Sequence, residues 1–349
     1  MGAEPAVAVV IGAYRRTAFV EEAVRSVLAQ RLPRERFELV VVKGFEHPAV
    51  DRFLAEAGVP AILDPEPRIG RWLLRGVSAT RAPLVAFLDD DDAFEPDRLE
   101  RVLSVFDQHP HVGFYRNRVR VVDRAGAPVP PERWRTIELD AALDASGPTV
   151  LRGATPEAIV EFALRRTRAS FNSSTMVVRR RLLEGEGAEL FGGLQLPDLT
   201  LLVLAAVAGD DLFLDDRRLT RYRVSGENVT GEIPWLAQAA EAHARLGEFA
   251  QERGRPALAH WLYGMAEHYD RMYRGGRVVG SVADGSSRRT VAHRTAEYLR
   301  FLGTHPAERA PSLDVWASAL YGLGAVLSPG ATRRVLAARP TARGHRPRA

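Results

Sequence analysis

The chain has 349 residues, 46% hydrophobic and 26% charged, which argues against disorder and is enough for two domains or one with a large appendage. It has no cysteine, which excludes disulfides and thiolate metal sites and leaves nothing that needs an oxidising compartment. The formal net charge is +4, with Lys43 the only lysine; residues 1–230 carry 31 basic and 34 acidic side chains, residues 231–349 carry 17 and 10, so the positive excess lies in the C-terminal part.

The opening "AVAVVIGAY" lacks a basic leader and reads as a first strand at 6–12, so a cytoplasmic protein is expected. Valine- and isoleucine-rich runs then alternate with helical patterns: a helix at 17–30, a strand at 37–43, a helix at 47–57, a short strand at 59–63, a helix at 68–80 and a strand at 84–88. Continuous apolar runs mark strands buried on both faces, and the alternation predicts an α/β fold with a mainly parallel sheet flanked by helices. Ligands in such sheets sit beyond the carboxyl ends of the strands.

"LVAFLDDDDAFEPDRLERV" (84–102) places four aspartates at one of those ends, ahead of a helix start at Pro96. Carboxylates crowded on one loop repel unless a cation or polar ligand neutralises them, and oxygen-rich clusters suit hard divalent cations that also take substrate phosphates. Asp89 and Asp91, two apart, can point into one cavity while Asp90 faces elsewhere. That pattern predicts a metal–diphosphate site; an acidic turn capping the next helix is the alternative.

Residues 123–153 are rich in proline and glycine and read as an irregular excursion, a candidate lid. Beyond them the patterns give a helix near 156–166, a strand at 174–178, a helix at 198–208, strands at 211–214 and 218–224, and helices from 234 with breaks near 275–277 and 284–287. The expected division is 1–230 and a helical 231–349.

Four separated stretches carry a resemblance. "VAVVIGAYRRTAFVEEAVRSVLAQ" (7–30), "AFLDDDDAFEPDRLE" (86–100), "NSSTMVVRRRLL" (172–183) and "LDDRRLTRYRVSGENVT" (214–230) resemble, in order, the segments of the family-2 glycosyltransferases of GT-A fold. The resemblance implies a nucleotide-diphosphate sugar donor and a divalent metal, Mn²⁺ or Mg²⁺, at Asp91 with Asp89. It also implies inversion at the anomeric carbon and a glycan, lipid-linked or small-molecule acceptor. Tyr14, Lys43, Gly76, Asp89 and Asp90 become candidate donor contacts, and Asp92, Arg223 and Asn228 supporting residues. Asp198, heading the helical run in "LQLPDLTLLVLAAVAG", takes the place of the catalytic base, although an aspartate there is also a common helix cap.

The match is imperfect. The second strand ends in "VVVKGFEHP", with Lys43 where the family carries a nucleobase-contacting aspartate; Lys43 could meet a base carbonyl or phosphate, or be a snorkelling strand-end residue. The first loop reads "GAYRR" in place of P-x-Y-N-R, Gly76 lacks the preceding arginine–asparagine pair, Pro197 replaces a glutamate, and Ser225 stands where a histidine is common. A non-catalytic binding protein of the same fold is therefore the rival reading, with a nucleotidyltransferase behind it.

No apolar run reaches the roughly 20 residues of a membrane-spanning helix. "LDVWASALYGLGAVL" (313–327), followed by six arginines up to position 348 and no acidic residue after Asp314, could lie peripherally on an anionic membrane or be a core helix with a basic tail. Without interleaved aromatics or a known motif, a nucleic-acid partner is not expected.

Overall fold

The computed structural model describes residues 4–14, 16–66, 68–130, 147–153, 155, 158–161, 169–224, 233–304, 313–328 and 332. The chain divides into two compact units, Met1–Asn228 with Arg245–Leu262, and Val229–Ala244 with Tyr263–Ala349. Residues 245–262 thus belong to the first unit, although they follow the start of the second.

In the first unit β1 (Val7–Ala13) is wholly buried, and α1 (Val20–Leu28) covers it with Val20, Ala23, Val24 and Val27, spaced for one helical face. Next come β2 (Phe37–Lys43), α2 (Pro48–Glu56), β3 (Ala61–Leu63), α3 (Ile69–Ser78) and β4 (Leu84–Asp89). β1 pairs in parallel with β2 and β4, and β2 with β3. These apolar strands and the elements packed on them form the main hydrophobic cluster, from Val7 through Val41 and Leu88 to Phe106.

The rest of the unit adds β5 (Ala93–Phe94), α4 (Arg98–Gln108), β6 (Val112–Val122), β7 (Thr149–Leu151), β8 (Met176–Arg179), α5 (Glu186–Gly193), α6 (Pro197–Ala208) and β9 (Asp211–Arg223). The sheet runs β3-β2-β1-β4-β8-β6-β9-β5, with β7 also on β9. β8 is antiparallel to both β4 and β6, whereas β6 and β9 are parallel. The sheet is thus mixed, with its parallel block at β3-β2-β1-β4.

β6 has no counterpart in the sequence expectations. Its arginines at 116, 118 and 120 break the apolar pattern, yet Arg116 is fully buried between two neighbouring strands. β9 replaces two expected strands. "DDRR" stays inside it because Asp215 is buried and accepts bonds from Arg101 Nε at 2.8 Å and Tyr115 Oη at 3.0 Å. The expected lid lies in large part outside the described residues, as does most of the expected helix at 156–166.

The helices of the C-terminal part are α7 (Ile233–Glu252), α8 (Pro256–Ala283), α9 (Arg288–Thr304) and α10 (Leu313–Leu327). The break expected at 275–277 is absent. A Cβ on Gly275 would lie 3.1 Å from Ser318 Oγ and 3.2 Å from Tyr298 Oη, so this glycine serves close packing inside a continuous helix. The break at 284–287 is present. Val278, Tyr298 and Ala319 make one small core cluster, and Val282, Val291 and Ala325 another. Among the described residues no helix is long and apolar enough to cross a membrane.

Candidate functional site

The parallel strands end in register, with Gly12 beside Asp89 and Ala13 beside Lys43. The loop after β1, the end of β2 and the four aspartates therefore emerge at one edge of the sheet. The aspartates form a turn, closed by the Asp92 N–H donating to the Asp89 carbonyl at 3.1 Å.

Each carboxylate has its own surroundings. Asp90 is fully buried; its Oδ2 accepts from the Tyr14 N–H at 3.0 Å and its Oδ1 lies 2.7 Å from Arg16 Nη2. Burial raises its pKa well above the ordinary carboxylate value, against the pull of Arg16. Arg16 also donates through Nη1 to Asp91 Oδ2. Burial works against the Arg16 charge, but Asp90, Asp91 and Asp89 more than offset it and raise its pKa.

Asp92 Oδ1 accepts from the Arg223 N–H at 3.0 Å and its Oδ2 from Asn172 Nδ2 at 2.9 Å. Burial, then the charges of Asp91 and Asp89, push its pKa up to about 8. The Asp89 N–H donates to Ser174 Oγ at 3.0 Å, and the Asp89 carboxyl is raised to about 7 by burial and by Asp91, with Asp198 adding to the effect. One oxygen from each of Asp89, Asp91 and Asp92 can be chosen so that all lie within 4.8 Å of one another. Three acidic groups at such spacing fit a divalent cation.

Arg223 ties this turn down. Its Nε donates to the Asp91 carbonyl at 2.9 Å, its Nη1 to the carbonyls of Asp123 at 3.1 Å and Arg124 at 2.9 Å, and its Nη2 to Glu22 Oε2 at 2.5 Å. It lies over the Phe19 ring, 4.6 Å from the centroid.

Asp198 enters from α6. Pro197 opens that helix and the Leu199 N–H donates to Asp198 Oδ1 at 2.9 Å. Burial raises its pKa to about 6, while the N–H groups of Leu199 and Asn172 favour the charged form. Asn172 thus serves two carboxylates, its side chain bonding Asp92 and its backbone supporting Asp198. It does so at φ 60°, a conformation asparagine tolerates better than most residues.

Tyr14 is 39% exposed and meets Trp72 edge-on at 6.3 Å. Lys43 is buried, its Nζ 2.8 Å from Asp51 Oδ1 and 3.0 Å from the Phe45 carbonyl. A Cβ on Gly76 would lie 2.4 Å from Val10 Cγ1 and 3.0 Å from Val42 Cγ2, so this glycine seats α3 against β1 and β2. Asn228 and Ser225 lie outside the described residues.

Sequence reasoning did not single out Arg16, Asn172, Ser174 or Glu22. Arg16 could have been found, since it ends the "GAYRR" loop in the place of the motif's arginine, and Asn172 heads the quoted "NSSTMVV". Glu22 gives no such sign in an ordinary amphipathic helix. Nor does Trp72, whose indole occupies the space beside Gly12: a Cβ on Gly12 would lie 2.9 Å from Trp72 Cζ3.

A parallel block with a carboxylate cluster at its carboxyl edge, extended by antiparallel strands and a helix bearing a further carboxylate, is the GT-A glycosyltransferase arrangement. The sequence profile described as "Glycosyl transferase family 2" matches residues 8–183, half of the chain. The chain belongs to that family and is a glycosyltransferase. Its fold is similar to that of S. aureus TarS 1-349 in complex with UDP-GlcNAc, at TM-score 0.59 and 13% identity over 95% of this chain and 91% of that one. The same TarS fragment in complex with UDP gives TM-score 0.55, with 13% identity and the same coverage. No curated protein matches the chain significantly.

Proposed function

We propose that this glycosyltransferase moves a sugar from a nucleotide-diphosphate donor to an acceptor hydroxyl with inversion, using a divalent cation, Mn²⁺ or Mg²⁺. The observation that carries the reading is the gathering of Asp89, Asp91 and Asp92 within ligand distance of one another, with Asp198 acting on Asp89 from a separate helix. Both Asp92 oxygens are taken by Arg223 and Asn172, so Asp89 and Asp91 would hold the cation and Asp92 would hold the turn. When bound, the cation neutralises charge on the departing nucleoside diphosphate.

The other steps fall to the chain. Asp198 accepts the proton of the acceptor hydroxyl as that oxygen bonds to the anomeric carbon and the bond from that carbon to the diphosphate oxygen breaks. A carboxylate with a pKa near 6 is charged at neutral pH and basic enough for this role. Tyr14 offers an exposed aromatic ring to the donor. Lys43, neutralised by Asp51, shapes the end of β2 in place of the family's aspartate, so the nucleobase need not be uracil.

Thermal unfolding against UDP, GDP, dTDP, ADP and CDP, each with Mn²⁺, Mg²⁺ or EDTA, tests the reading, because a ligand that binds only the folded state raises Tm. A rise with one diphosphate that vanishes in EDTA is expected. A folded sample that responds to none of them favours the non-catalytic rival.

The C-terminal part adds a location. Leu320, Leu323 and Leu327 are 65%, 44% and 82% exposed and follow the 3–4 spacing of one face of α10, while Ala319 and Ala325 are buried. An exposed leucine stripe followed by six arginines without an acidic residue matches an anionic bilayer surface in both apolarity and charge, which supports peripheral attachment at the inner face and an acceptor held there. Co-sedimentation with phosphatidylglycerol vesicles should be lost when all three leucines become serine; equal binding by the two proteins would remove the leucine stripe from the reading.

A further inference from the structure

Arg16 is the one basic side chain among the described residues that is ion-paired to the aspartate turn, and it bridges two of its members, Asp90 and Asp91. The two bonds differ in character. Asp90 is fully buried and joined to the loop after β1 a second time, through the Tyr14 N–H, whereas Asp91 supplies one carboxylate oxygen to the group that can gather around a cation. Arg16 itself is 24% exposed, so its guanidinium has room to shift. Arginine does not give up its proton, so it cannot step aside by neutralising.

We propose that Arg16 is a resident counter-ion of the aspartate turn: it holds Asp91 in the metal-free enzyme and is displaced from Asp91, but not from Asp90, when a divalent cation binds. The inference rests on the metal reading above. A divalent cation on the Asp91 carboxylate repels the Arg16 guanidinium and draws on the same negative charge, so metal entry and the Arg16–Asp91 bond compete. The displaced arm stays beside the metal because Asp90 keeps the other. A planar guanidinium in that position is matched to a pair of phosphate oxygens, so the donor diphosphate is the ligand class that takes over from Asp91. Metal and nucleotide then bind cooperatively, since each removes part of the cost of the other.

The test is a direct Mn²⁺ titration, read by the electron paramagnetic resonance of free Mn²⁺, on the full chain and on Arg16→Gln and Arg16→Lys, first without nucleotide. Arg16→Gln should bind Mn²⁺ about tenfold more tightly, as expected when a competing ligand is removed. Arg16→Lys, whose ammonium cannot bridge both carboxylates, should show a smaller tightening and decides the matter if the glutamine variant does not fold. Repeating the titration with each of UDP, GDP, dTDP, ADP and CDP should show that the nucleotide's tightening of Mn²⁺ shrinks in Arg16→Gln. Unchanged or weaker Mn²⁺ affinity in the variants, with the full chain binding normally, overturns the role of Arg16 alone. No Mn²⁺ binding by any of the three proteins, with or without nucleotide, overturns the metal reading and this inference together.

Discussion

Arg223 Nε donates to the carbonyl oxygen of Asp91 at 2.9 Å across 132 positions of sequence, joining the last strand of the sheet to the middle of the aspartate turn. The same residue's N–H closes on Asp92. Arg223 therefore holds the Asp91 backbone through its side chain and the Asp92 carboxylate through its N–H.

Arg223→Met should lower unfolding stability by about 2 kcal/mol in urea titrations, below the range for breaking a fully buried pair because Glu22 is half-exposed. The Mn²⁺-dependent Tm rise with nucleotide should shrink as well. Arg223→Lys cannot restore it, since an ammonium cannot reach the Asp91 carbonyl, the 123–124 turn and Glu22 together. A variant of normal stability and normal metal response would leave Arg223 without its positioning role.

Asp198→Asn should reduce kcat by about 10²- to 10⁴-fold, the usual loss for a general base, while nucleotide affinity stays close to that of the parent. In the parent, kcat should climb with pH through about 6 and then level, because the base works only once its proton has left. If the variant turns over at the parental rate, Asp198 is a helix cap and nothing more.

The metal-free protein should become less stable as pH rises. Asp89 and Asp92 have folded pKa values raised to about 7 and about 8, above those of the unfolded chain, so between about pH 4 and 8 the folded state holds more protons. Their stabilising contribution is complete below the unfolded pKa and is lost as pH rises through the folded values. Melting curves in EDTA from pH 5 to 8.5 should show a declining contribution that Asp89→Asn diminishes, and Mn²⁺ should offset the decline at the alkaline end.

Gly76→Ala separates packing from donor contact. The added methyl meets Val10 and Val42, and an overpacked core position of this kind costs about 1–3 kcal/mol. Stability should fall while the ranking of nucleoside diphosphates in the thermal panel stays the same. A changed ranking would instead place Gly76 at the donor.

Much of the fold was legible because its signals are local. The valine-rich runs of β1, β2 and β4 need only their own composition to read as buried strands, and four adjacent aspartates at a strand end are a covalent fact. β6 was hidden because its arginines imitate a solvent-facing strand, and only the neighbouring strands β8 and β9 show that Arg116 is buried. β9 read as two strands because "DDRR" looks like a turn until Arg101 and Tyr115 supply partners for Asp215.

Composition and pattern along the chain are enough for the α/β class, the parallel block, the carboxylate-rich edge and, through the order of four motifs, the glycosyltransferase family. The folded chain is needed to see which polar groups meet: Lys43 with Asp51, Arg16 with Asp90 and Asp91, Asn172 with Asp92, and Arg223 with Glu22 and the Asp91 carbonyl. Periodicity and adjacency are written along the chain, whereas the partner of a buried charge is set by strand register and helix placement, which bring together residues from eight to 201 positions apart.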